Sequence, residues 1–142
     1  MDINWMDMVY YQRQVQKLSR LLLPTKQTNL TVSECEILAW LYLEPEQNTP
    51  ILLSHRSSMK KEAVSRCLKS LIEKECIVKE KQTQDERSYK IYITEKGISE
   101  LKKGYEVILQ PFYDLWRMAG KDFEEFLKCT DKILSHIDDE EV

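Results

Sequence analysis

Ser88-Tyr89-Lys90-Ile91-Tyr92-Ile93-Thr94-Glu95-Lys96-Gly97 is the stretch in which helical periodicity gives way to alternation and then returns. Tyr89, Ile91 and Ile93 alternate with Ser88, Lys90 and Tyr92, the period-two pattern of a strand with one buried face. Upstream, Ile77 to Lys81 is a second short run able to pair with it, and Gln82 to Arg87 between them is a polar, charged tip. Downstream, Thr94-Glu95-Lys96-Gly97 opens a helix with Leu101, Tyr105, Ile108, Phe112 and Leu115 on one side. Pro111 should kink that helix, because proline removes a ladder hydrogen bond.

Working outward, the hairpin is preceded by two short helices. Thr49-Pro50 is an N-cap with proline in the first helical position, where its missing N–H costs nothing. That helix runs to about Arg56, Ser57-Ser58-Met59 breaks it, and the next runs over about 61–74 with Val64, Leu68 and Leu71 inward. Before them, Thr31-Val32-Ser33-Glu34 is a T-x-x-E capping box opening a helix that buries Ile37, Leu38 and Leu41 and ends near Leu43. Residues 3–23 carry Trp5, Met8, Tyr11, Val15, Leu18 and Leu22 as one apolar stripe, and Pro24 stops them. After a stop at Gly120, a last helix over about Phe123 to Ile137 has Phe126, Leu127, Thr130, Ile133, Leu134 and Ile137 inward; Asp138 to Glu141 is an acidic, solvated tail. The fold class is mainly α with a small β-hairpin, in the order of a winged helix-turn-helix.

A chain of 142 residues, 42% hydrophobic and 32% charged, is expected to form one domain with an adequate core. No stretch reaches the roughly 20 apolar residues of a membrane span. The start, Met1-Asp2-Ile3-Asn4-Trp5, lacks a signal peptide's basic and apolar regions, so a cytoplasmic location is expected. Cys35, Cys67, Cys76 and Cys129 are scattered, and His55 and His136 are isolated, so neither a disulfide framework nor a metal site is expected. Nor does any catalytic or cofactor-binding constellation occur: there is no paired-carboxylate cleft, nucleophile–base set or glycine-rich phosphate loop. An enzyme is therefore not expected.

The net charge of −3 hides an asymmetry. Residues 49–93 hold ten basic and six acidic side chains, whereas 1–48 hold four and six, and 94–142 hold seven and twelve. A basic centre between acidic ends offers one face to an anionic partner.

Leu30-Thr31, Thr49-Pro50-Ile51-Leu52-Leu53, Ala63-Val64-Ser65-Arg66 through Leu71, and above all Asp85-Glu86-Arg87 followed by Ile93-Thr94-Glu95-Lys96-Gly97 occur in order along the chain. With these it resembles the multiple-antibiotic-resistance regulator (MarR) family over nearly its whole length. The resemblance implies a homodimer with a helical dimerisation region at 1–29 and 98–142. The DNA-binding lobe would span 30–97, with its recognition helix at about 61–74 and its wing at about 77–93. Where the family often has glycine, before and after the recognition helix, this chain has Ser58 and Glu75.

Placed in the major groove by that resemblance, the 61–74 helix would present Lys61, Glu62, Ser65, Arg66 and Lys69. Arginine pairs bidentately with guanine and serine bonds a base or a phosphate. Lys60, Lys61 and Lys69 suit phosphate contacts. On the wing, Lys81, Gln82, Arg87 and Lys90 are DNA candidates, with Arg87 directed by the resemblance to a minor groove and Asp85 able to brace it. His55 and Arg56 are equally consistent with phosphate contact and with plain surface. The cysteines read as buried small hydrophobes, since the family's thiol sensors place theirs in the first helix. Trp5, Tyr10, Tyr11, Trp40, Tyr42, Tyr113 and Trp116 lie on helices where, by the resemblance, relatives take small aromatic effectors. The expected function is a homodimeric regulator, a repressor acting on a pseudo-palindromic operator and released by an effector. The alternative is a winged helix used for protein–protein interaction.

Overall fold

Several helix starts follow caps that the sequence supplies. In the computed structural model, which describes residues 1–81 and 89–140, the order is α1 (Trp5–Leu21), α2 (Val32–Leu43), α3 (Pro50–Ser57), α4 (Lys61–Glu73), β1 (Ile77–Lys81), β2 (Tyr89–Ile93), α5 (Glu95–Ile108), α6 (Gln110–Ala119) and α7 (Lys121–Glu140). At α2 the capping box forms: Thr31 Oγ1 accepts from the Glu34 N–H at 3.1 Å, and Glu34 Oε1 accepts from the Thr31 N–H at 3.4 Å. Thr49 Oγ1 accepts from the Leu52 N–H at 3.3 Å and Pro50 enters the first turn of α3. A second box, Asn4 with Asp7, opens α1 and had no counterpart in the sequence reading.

The chain separates into two compact units, Lys26–Ile108 and a second made of Met1–Thr25 with Leu109–Val142. In the first, Leu30, Cys35, Ile37, Leu38, Leu41, Leu53, Val64, Leu68, Leu71, Cys76, Ile77, Ile91, Leu101 and Ile108 form one core. Apart from Leu30 and Cys76, which lie just outside α2 and β1, these come from the 3.6- or 2-residue repeat of their elements. α5, expected with the dimerisation helices, groups with this unit because Leu101 and Ile108 are part of that core.

The hairpin is antiparallel, with Ile77 opposite Ile93, Lys79 opposite Ile91 and Lys81 opposite Tyr89. Ile77 and Ile91 are buried, while Val78 and Tyr92 face outward. The Ile91 N–H donates to the Asn48 carbonyl at 2.9 Å, tying the hairpin to the segment between α2 and α3.

Both places where glycine was the family's habit are left-handed here, Ser58 at φ 59° and Glu75 at φ 62°. A side chain with a Cβ pays about 1–2 kcal/mol for that conformation. Around Ser58, hydroxyls brace the turn: Ser54 Oγ donates to the Met59 carbonyl at 2.7 Å and Ser57 Oγ to the Leu53 carbonyl at 2.6 Å. Thr94 caps α5, since its Oγ1 accepts from the Gly97 N–H at 3.0 Å and donates to the Glu75 carbonyl at 2.8 Å. Gly97 itself lies against the turn leading into β1. A Cβ there would stand 2.2 Å from the Cys76 carbonyl oxygen.

In the second unit, α6 and α7 pack through Phe112, Phe123 and Phe126, with ring centroids 6.3 and 5.9 Å apart in succession. Gly120, at φ 55°, lets the chain turn from one to the other. The single helix expected to kink at Pro111 is instead two: α5 ends at Ile108 and α6 begins at Gln110. Pro111 has no N–H for the Val107 carbonyl, so the ladder fails one turn before the proline. α7 also runs further than expected at both ends.

One expectation needs correcting. The α7 stripe is apolar as read, but within the chain Leu127, Ile133, Leu134 and Ile137 are exposed rather than inward, at 44 to 61%. α1 buries none of its residues. Among the described residues, no helix is long and apolar enough to cross a membrane.

Candidate nucleic-acid interface

α4 has two faces because its apolar residues recur every three or four positions. Val64, Cys67, Leu68 and Leu71 are buried, while Lys61, Glu62, Ser65, Arg66 and Lys69 are all exposed. Lys60, at the N-cap, is exposed and makes no side-chain cap bond. The hairpin adds Lys81 and Lys90, both exposed, whereas Gln82, Asp85 and Arg87 lie outside the described residues.

The unit's cations sort by what they already hold. Among the described residues, Lys60, Lys61, Arg66 and Lys69 have no ion pair, and their donors remain available to a partner. Others are committed to the fold. Arg56 Nε stands 3.3 Å from Glu44 Oε2 as an ion pair without hydrogen-bond alignment, and its guanidinium lies 5.9 Å from the Trp40 ring centroid. That favours the surface reading of Arg56 over phosphate contact. Lys79 Nζ sits 4.2 Å above the Tyr89 ring, and Lys96 pairs with Glu75 at 3.7 Å.

The most heavily engaged cation, Lys74, was missed by the sequence reading. Its Nζ donates to Glu34 Oε2 at 3.0 Å, to Glu34 Oε1 at 3.2 Å and to the Asn29 carbonyl at 2.8 Å. Ser70 Oγ, one turn earlier on α4, donates to Glu34 Oε2 at 3.2 Å. Glu34 is only 4% exposed. Burial by itself would raise its carboxyl pKa, but the hydrogen bonds and charge of Lys74, with those of Thr31, outweigh it and hold the group below its usual 4.5. The T-x-x-E pattern revealed the local bonds of Glu34; its partners 36 and 40 residues away left no local signal.

Three cysteines are the buried small hydrophobes expected. Burial pushes the Cys35 thiol up to about 11 and raises Cys67 and Cys76 as well. Cys129, on α7, is exposed instead. Of the aromatic set, Trp40 is half-buried beneath Arg56, while Trp5, Tyr10, Tyr11, Tyr42, Tyr113 and Trp116 are exposed.

An apolar-backed helix with free cations, preceded by a helix and a tight turn and followed by a two-stranded hairpin, is the arrangement of a MarR-type winged-helix fold. Residues 21–103, more than half the chain, match the transcriptional regulator SarA/Rot family, and the chain belongs to it. That family is one of transcription regulators, not enzymes. Solved structures share the fold across nearly the whole chain. A mutant MarR from E. coli complexed with operator DNA is 17% identical at a TM-score of 0.68, covering 94% of this chain and 99% of its own. The PcaV regulator of Streptomyces coelicolor, in complex with its natural ligand, is 15% identical at 0.69, covering 95% and 97%. BpsR of Bordetella bronchiseptica, whose DNA binding is regulated by 6-hydroxynicotinic acid, is 11% identical at 0.71, covering 89% and 96%. No curated protein sequence matches the chain.

Proposed function

We propose that the protein is a homodimeric repressor whose two α4 helices read the half-sites of a pseudo-palindromic operator. The observation that carries the reading is the exposed, unpaired set Lys61, Ser65, Arg66 and Lys69 on a helix whose opposite face is buried. Arg66 contacts guanine, Ser65 a base or phosphate, and Lys60, Lys61 and Lys69 phosphates. Lys81, Gln82, Arg87 and Lys90 supply the wing contacts, with Arg87 in the minor groove. Operator DNA bound by a MarR of the same fold supports this assignment.

The dimer reading rests on α1 and α7. These helices carry apolar stripes that the chain leaves exposed, and a second copy is the partner that two-fold symmetry would place on both. The dimerisation helices then comprise 1–29 with the C-terminal helices, and the lobe carries the reading. Half-sites would lie about one helical turn apart, roughly 34–36 Å. A small aromatic effector that releases the operator fits the exposed aromatic side chains and the ligand-regulated relatives of this fold.

The test is selection of duplexes from a random-sequence pool, followed by affinity against salt. Arg66→Ala should cost about 1–3 kcal/mol on the selected duplex and relax one or two positions per half-site. A chain that selects nothing and shows no salt dependence would instead support the protein-interaction reading.

A further inference from the structure

The recognition helix is attached to the rest of its unit in two physically different ways. Val64, Leu68 and Leu71 supply apolar contact, which is strong but has no preferred direction. Glu34 supplies direction. Its carboxylate, 4% exposed, accepts from Ser70 on α4 and from Lys74, the residue that caps the C-terminus of α4 four positions on. The same carboxylate also accepts from the Thr31 N–H at 3.4 Å on its own helix, which opposes its following α4 if α4 turns. Lys74 adds a bond to the Asn29 carbonyl, and Asn29 Nδ2 donates to Glu100 of α5 at 3.3 Å. One ammonium therefore ties α4 to the start of α2 and to the segment entering it.

We propose that Glu34 is the positioning residue of the recognition helix. By holding Ser70 and Lys74 it fixes the rotation of α4 about its own axis, and so the direction in which Ser65, Arg66 and Lys69 point. The inference rests on the DNA reading above and adds to it a determinant of specificity that touches no DNA. Geometry shows why small rotations matter. Side-chain tips lie about 5–6 Å from a helix axis, so turning α4 by about 10° moves Arg66 by about 1 Å. The donor–acceptor window of a base contact is about half that wide, whereas a phosphate contact through a long, flexible lysine absorbs the shift. Loss of the clasp should therefore weaken reading of sequence more than binding of backbone.

Lys74→Met alone strands a buried carboxylate and would disturb folding as much as position. The pair is changed together, as Glu34→Gln with Lys74→Met, in the full chain. Affinity is measured for two duplexes of equal length, one selected from a random pool by the unaltered protein and one unselected. Circular dichroism and thermal melting establish that the variant is folded at the assay temperature. The expected result is at least a tenfold loss on the selected duplex, less than a twofold change on the unselected one, and an unchanged salt slope. Lys74→Arg, which keeps charge and donors, should hold the ratio of the two affinities within threefold of the parent. A folded double variant whose ratio stays within twofold of the parent overturns the proposal. So does one that loses both affinities in equal proportion, because that marks a structural role only. If the double variant does not fold, Ser70→Ala is read in the same assay; it should lower the ratio at least threefold, and an unchanged ratio overturns the proposal. Failure of the unaltered protein to select any duplex would defeat the DNA reading itself, before any variant is compared.

Discussion

Replacing Gly97 by alanine sets two effects of opposite sign against each other. In a helix interior alanine is favoured over glycine by about 1 kcal/mol, so propensity alone predicts a more stable protein. The structure predicts the reverse. The added Cβ would stand 2.2 Å from the Cys76 carbonyl oxygen and 2.8 Å from Ile93 Cγ1, where ordinary contact begins at 3.4 Å. More than 1 Å must be recovered, and the nearer obstacle is backbone. That carbonyl also accepts from the Thr94 N–H at 3.0 Å, so moving it disturbs the start of α5. Overpacking of this kind costs about 1–3 kcal/mol, and a weakened hydrogen bond about 1 kcal/mol more. After the propensity gain, Gly97→Ala should destabilise by about 1–3 kcal/mol, moving the urea midpoint down by about 0.5–1.5 M for an m-value of about 2 kcal/mol/M. Equilibrium unfolding followed by far-ultraviolet circular dichroism measures it. A midpoint unchanged or raised would refute the claim that α5 and the turn before β1 touch at this glycine.

The left-handed turns should respond in the opposite direction. Ser58→Gly and Glu75→Gly each relieve about 1–2 kcal/mol of conformational cost and lose about 0.5–1 kcal/mol to chain entropy, so each should raise the urea midpoint slightly, and a fall would count against strain there. The carboxyl of Glu34 is held below 4.5 in the folded protein, so its contribution is present above that pH and disappears as pH falls through the folded value. Glu34→Gln should therefore lower stability at pH 7 and flatten the acid limb below 4.5; parallel curves would show that the carboxylate is not the group being titrated. Val15→Asp with Ile133→Asp places charges on the exposed stripes of α1 and α7, and should yield monomers near 16.9 kDa on sedimentation while the lobe stays folded. Retention of a dimer would move the interface elsewhere.

Local chemistry carried much of the fold into view. Thr31 with Glu34, and Thr49 with Pro50, mark helix starts because a cap acts within four residues. The alternation of Tyr89, Ile91 and Ile93 marks a strand because one face must be buried. The exposed face of α4 followed by subtraction, once Val64, Leu68 and Leu71 were assigned inward. Periodicity could say that α1 and α7 have apolar stripes but not which surface covers them, and Leu127, Ile133, Leu134 and Ile137, read as inward, are exposed within the chain. The helix break before Pro111 was displaced because proline disturbs a carbonyl four residues back. The Glu34–Lys74–Ser70 clasp was invisible for a different reason: nothing in either segment records which distant segment it meets.

The three interior thiols have a use as internal clocks. Cys35 on α2, Cys67 on α4 and Cys76 at the entrance to β1 are 0%, 8% and 1% exposed, and burial raises the pKa of each. A thiol-specific reagent reacts with thiolate and so must wait until the surrounding structure opens. Cys129, already exposed, reacts at once and sets the zero of time. The order in which the other three follow maps which part of the lobe opens most easily under native conditions. If duplex DNA slows Cys67 more than Cys35 and Cys76, α4 is the element that gains order on binding, a local property that a global melting curve averages away.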